Sequence, residues 1–119
     1  MENAKIVERH GREFRIIRTD DEIHVAPLEK VLWRRVDAAI NKEICYVVKP
    51  GDDGKWIFAP RGYSAFHRYD TFEGVIDAVL ESIAHILGIY DEEDEEHARK
   101  VEYQTNMLDG AWAQLEGTR

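Results

Sequence analysis

FEGVIDAVLESIAHILG, residues 72–88, is the stretch whose reading decides the fold. Phe72, Val75, Ile76, Val79, Leu80, Ile83, Ile86 and Leu87 recur at the helical period, so one broad side of a helix is apolar and the other carries Glu73, Asp77, Glu81 and His85. Asp70 or Thr71 is placed to cap its start, and Gly88 to end it. A face this wide must be covered by something equally apolar, and the chain N-terminal to it offers strands.

The clearest hairpin pairs 43–49 with 55–60 across Pro50-Gly51-Asp52-Asp53-Gly54. Ile44, Tyr46 and Val48 alternate with Cys45, Val47 and Lys49, while Trp56 and Phe58 share a face of the second strand. Further upstream, 5–9, 13–19 and 22–26 read as strands joined by His10-Gly11 and Asp20-Asp21. In the middle strand Phe14 and Ile16 face one way and Arg15 and Ile17 the other. A short strand over 65–69 completes the set. Leu28, Val31, Leu32, Val36, Ala39 and Ile40 after Pro27 fit a helix over 28–41, with Arg35 inside its apolar arc and Trp33 at its edge. The expected fold is therefore α+β: an antiparallel sheet of about four to six strands packed against two or three helices. The whole of 1–119 is read as a single domain that ends in an acidic C-terminal helix over 91–116 used for association.

Composition narrows the function. A 44% hydrophobic content over 119 residues can furnish a core without staples, and the single Cys45, set in an apolar run, has no disulfide partner in the chain. The N-terminal residues show no basic region followed by an apolar stretch, and no segment is long and apolar enough to span a membrane, so the expectation is a cytoplasmic protein without membrane association. Up to Gly62 the chain holds 12 Lys and Arg against 11 Asp and Glu; from Tyr63 onward it holds 4 against 13. A chain so charged repels a phosphate backbone, and direct nucleic-acid binding is not expected unless Arg9, Arg12, Arg15 and Arg18 share one face.

Motifs that would carry chemistry fail on their residues. Gly51-Asp52-Asp53-Gly54-Lys55 lacks the spacing and the hydroxyl of a phosphate-binding loop, and Gly62-Tyr63-Ser64-Ala65-Phe66 lacks the second glycine of a nucleophile elbow. The twelve residues from Asp91 to Glu102 have Glu96 where a calcium loop turns on glycine. Asp77, Glu81 and His85 form a stripe that could ligate a divalent metal only if other polar groups faced it. His24 and His67 read as hydrogen-bonded structural residues. Trp56, Phe58, Tyr63, Phe66 and Tyr69 read as core aromatics beneath the 72–87 helix.

What remains is the C-terminal helix. Ala98, Val101, Thr105, Leu108, Trp112 and Leu115 recur at alternating spacings of three and four, a seam of the coiled-coil kind weakened by Thr105 and Gly110. Ahead of it stand Asp91, Glu92, Glu93, Asp94, Glu95 and Glu96, which would favour the helix dipole if the helix began there. The expected function is a non-enzymatic protein-interaction or regulatory module without a cofactor, of the sort phage and accessory genes use to modulate a host protein. Val101, Leu108, Trp112, Leu115 and the six acids are its contact residues, and its partner is another protein or a second copy in a homodimer. The alternatives are an acidic nucleic-acid mimic seated in a basic protein groove and a small metal-dependent enzyme built on Asp77, Glu81 and His85.

Overall fold

The computed structural model describes residues 3–34, 42–63 and 67–117. Among them are six strands and one helix: β1 (Ala4–Arg9), β2 (Arg12–Arg18), β3 (Ile23–Pro27), β4 (Tyr46–Pro50), β5 (Trp56–Pro60), β6 (His67–Tyr69) and α1 (Phe72–Gly117). The strands form one antiparallel sheet in the order β1-β2-β3-β4-β5-β6, so that each strand pairs only with its neighbours in sequence. The α+β class and the six-stranded sheet agree with the sequence; the count of helices does not.

Local chemistry sets the turns. His10 and Gly11 both adopt positive φ, 55° and 71°, the backbone of a two-residue hairpin whose twist matches the strands on either side. Across that turn Arg9 sits opposite Arg12 and Val7 opposite Phe14. In the β4–β5 turn Asp53 accepts a hydrogen bond from the Lys55 backbone N–H at 3.1 Å and one from Arg68 at 2.8 Å, tying the turn to β6. The Lys55 N–H, reinforced by Arg68, holds the Asp53 carboxyl below its ordinary pKa.

The register sorts the sheet into two faces. On one, Phe14, Val25 and Val48 are fully buried, with Tyr46 beside them and Trp56, Phe58 and Tyr69 half-buried. Val75, Val79, Leu80 and Ile83 of α1 are equally buried, and the rings of Trp56 and Phe72 meet edge to face at 4.9 Å. The inner part of α1 therefore covers this face. Tyr46, Phe58 and Tyr69 form a row of tilted rings, centroids 5.9 and 5.8 Å apart, across β4, β5 and β6. Of the expected core aromatics, Trp56, Phe58 and Tyr69 join this layer, Tyr63 is exposed, and Phe66 lies outside the described residues. The opposite face carries Ile17, His24, Val47 and Ala59 in one cross-strand row and Arg15 in the next. The four arginines are thus divided: Arg9, Arg12 and Arg18 belong to the helix side, while Arg15 turns away and pairs with Glu43.

Two expectations about helices are corrected. Residues 28–34 are not helical: the Trp33 N–H bonds to the Lys42 carbonyl, the Ile44 N–H bonds to the Val31 carbonyl, and Leu32 bridges Glu43. The backbone groups a helix would use internally are spent on this cross-chain ladder, and Trp33 sets its ring 6.2 Å from that of Tyr46. Residues 35–41 of the expected helix lie outside the described residues. The second correction concerns Gly88: α1 runs through it, joining the two expected helices, 72–87 and 91–116, into one of 46 residues. A single glycine costs a helix interior only about 1 kcal/mol, no proline follows it, and Ile89 and Tyr90 continue the pattern. The start is as expected, with the Thr71 hydroxyl accepting the Gly74 N–H at 3.0 Å.

The chain divides into two compact units, one ending at His85 and one beginning at Ile86. Leu80 is the largest α1 side chain in the first core alongside Ile83. Leu80→Ala is expected to lower the unfolding free energy by about 2–5 kcal/mol, measured by urea titration, because it empties a site closed on both sides.

Candidate functional site

No residue from 91 to 117 is buried. At about 1.5 Å per residue this is a helical stretch of about 40 Å. The seam residues are well exposed, Val101 at 45%, Leu108 at 70%, Trp112 at 64% and Leu115 at 66%. Counted at about 100° per residue, they fall in the same arc of helical register as Leu87 and Tyr90, both buried, so the apolar periodicity runs on from the start of this segment. Tyr103 and Met107, exposed at 66% and 59%, lie off this arc and were not part of the expected surface. Nothing in their spacing distinguishes them from solvated helix residues.

The acidic run is placed differently from its sequence-based rationale. Since α1 begins at Phe72, Asp91, Glu92, Glu93, Asp94, Glu95 and Glu96 sit near its middle, and the acid in the first turn is Glu73. The helix dipole gives no help there, as it acts only over the terminal turns. Carboxylates three and four apart along a helix repel by about 0.2–0.5 kcal/mol per pair, partly offset by the Glu96–Lys100 ion pair at 3.5 Å. From 91 to 117 there are nine Asp and Glu against Arg99 and Lys100, a balance of −7, nearly all of the chain's net charge of −8.

The Asp77, Glu81 and His85 stripe is exposed along its length. Glu81 and His85, with Ser82, border a concavity of about 550 Å³ with His10 and Arg12 from the β1–β2 hairpin; Asp77 does not take part. Among the described residues no three His, Cys, Asp or Glu side chains come together in a metal-holding group.

A second concavity, of about 590 Å³, opens on the sheet face away from α1. Its floor is Val47, Ile57 and Ala59, and at one side the Arg61 guanidinium bonds to His24 Nδ1 at 3.1 Å and to Cys45 Sγ at 3.2 Å. Arginine can only donate, so His24 Nδ1 accepts; the ring proton is on Nε2, which donates to Glu22 Oε1 at 3.2 Å. The expectation that His24 is a hydrogen-bonded structural residue agrees with this. Strand alternation puts His24, Val47 and Ala59 in one row, and continuing the β4–β5 register by one pair sets Arg61 opposite Cys45 on the same face. Burial pushes the Cys45 thiol above its ordinary value of 9.0, with Arg61 only partly opposing. The thiol keeps its proton at neutral pH, and the bonds among Glu22, His24, Arg61 and Cys45 link β3 to the end of β5.

Cys45 should react slowly with a thiol reagent at pH 8 in the folded protein and at the ordinary rate in denaturant. A raised folded-state pKa means that the native thiol keeps its proton longer than the unfolded one. Its contribution to stability is therefore complete below about 9 and declines as pH rises toward the folded value, which urea titrations at successive alkaline pH values will read.

No helix among the described residues is long and apolar enough to cross a membrane. No protein-family model, curated protein or solved structure matches the chain.

Proposed function

We propose that the protein is a non-enzymatic interaction module, in which the sheet and the inner part of α1 are the scaffold and the outer part of α1 is the contact surface for another polypeptide. One observation carries this reading: Val101, Leu108, Trp112 and Leu115, each 45–70% exposed, recur at helical spacing on a stretch of α1 that buries nothing. Single exposed apolar residues are ordinary, whereas an aligned set that includes a tryptophan marks a surface built to be covered. Tryptophan is a frequent anchor of protein interfaces, and the flanking acids supply orientation and encounter rate more than affinity.

The acidic run supports the same reading from a different side. Six adjacent acids in mid-helix concentrate negative charge on one short stretch, which attracts a cationic partner at long range. A partner that recognises both the seam and the acids would combine the interaction module with the acidic mimic in one surface. Regulation of a cytoplasmic protein is the role proposed for such a module.

The double variant Leu108→Gln/Trp112→Gln tests the surface. Its thermal and urea unfolding should match wild type to within about 0.5 kcal/mol, since neither side chain is buried. Its association, followed by light scattering and by capture on the immobilised protein, should weaken by more than about tenfold, as expected when apolar anchors worth about 1.5–3 kcal/mol each are removed. A variant that unfolds outright would instead make the seam part of the folded core.

A further inference from the structure

We infer that the partner surface is an amphipathic helix with a single basic edge, supplied by a different polypeptide; this rests on the reading of the outer α1 seam as a contact surface. With Ala98, Thr105 and Trp112 at the first seam position of successive heptads, and Val101, Leu108 and Leu115 at the second, the residues bordering the seam separate by charge. One border is Glu102, Asp109 and Glu116, spaced seven apart. The other is His97, Gln104 and Ala111, with no acid. Glu102, Asp109 and Glu116 are exposed and make no ion pair among the described residues. In a two-helix pair these border positions lie over the seam and face the partner's corresponding edge, whichever way the partner runs. The edge laid against them must therefore carry Lys or Arg, while the edge over Gln104 and Ala111 needs no charge.

The same pattern argues against a second copy as the occupant. Run antiparallel, a copy sets Glu102 against Glu116 and Asp109 against Asp109. Run parallel, it stacks Asp91 and Asp94, which fall at seam positions, on their own counterparts and aligns the two acidic runs side by side. Each arrangement opposes like charges beside an apolar contact fewer than three heptads long. A basic-edged helix meets acids in both, and its stripe would cover Val101, Leu108 and Trp112.

The test uses the full chain and synthetic helical peptides that share one leucine stripe and differ only in having Lys, Gln or Glu along one edge. By calorimetry at low salt the Lys-edged peptide should bind about tenfold tighter than the Gln-edged one and lose most of that advantage at about 0.5 M salt, while the Glu-edged one should not bind. The triple variant Glu102→Lys/Asp109→Lys/Glu116→Lys should reverse the order. Equal affinity for the Lys and Gln edges, or no reversal, overturns the charged edge but leaves the seam as a contact surface. A Lys peptide with its stripe scrambled should fail; if it binds as well, cations are condensing diffusely on the acidic run and the proposal is wrong. If no peptide binds, the proposal falls, and light scattering then separates the remaining cases. A wild-type dimer lost in Leu108→Gln/Trp112→Gln makes the occupant a second copy, whereas a monomer in both removes the contact surface itself.

Discussion

Closure of one sheet face by the inner part of α1 is the interaction on which everything else depends. Phe14, Val25 and Val48 on the strands and Val75, Val79, Leu80 and Ile83 on the helix reach full burial only together, for a six-stranded sheet with one uncovered apolar face would expose all of these to water. The Thr71 cap fixes where the helix starts, and the packing of Phe72 on Trp56 fixes how it leaves β6. With the helix thus committed at its N-terminus, the apolar arc of 72–83 lies against the sheet.

The parts legible in the sequence were those governed by local rules. Strand alternation, the positive φ available at Gly11 and Gly54, and the 3.6-residue period of 72–87 each act within a few residues, and the strands and the first half of α1 lie where those rules put them. The expected helix over 28–41 failed within its described part, 28–34, because Val31, Leu32 and Trp33 pair with 42–44, and a tertiary ladder outweighs a period shared by few residues. The expected break at Gly88 failed for the opposite reason: a glycine at the end of a periodic stretch resembles a stop, but only the following residues decide whether the helix can continue. The seam was readable as spacing, while its exposure was not, because burial depends on what lies opposite. The link of Arg61 to Cys45 follows from the hairpin register, whereas its link to His24, 37 residues away, depends on which strand lies beside β4 and has no local signature.

Division of labour between the two halves of α1 follows from these constraints. The inner half has spent its apolar arc on the sheet, and substitutions there are felt as stability. The outer stretch, 91–117, carries its exposed apolar seam beside a charge of −7, and under the proposed function substitutions there are felt as affinity and salt dependence. The sheet face opposite α1 holds a guanidinium bonded to both an imidazole and a thiol, an arrangement that ties the end of β5 to β3. The proposed function thus places stability and recognition on different stretches of one helix.

The meander also governs how the chain reaches this state. Because every strand pairs only with its neighbours in sequence, the loop closures within the sheet are short, the longest being the excursion between β3 and β4. During synthesis, however, all six strands emerge before the residues that cover them. The nascent sheet exposes Phe14, Val25, Val48 and Trp56 until 72–83 have left the ribosome, a window in which pairing with another chain competes with folding. Lys5, Glu8 and Arg9 along the outermost strand β1 place charge on the edge most open to such pairing, so that the unfinished sheet is guarded where it is most exposed.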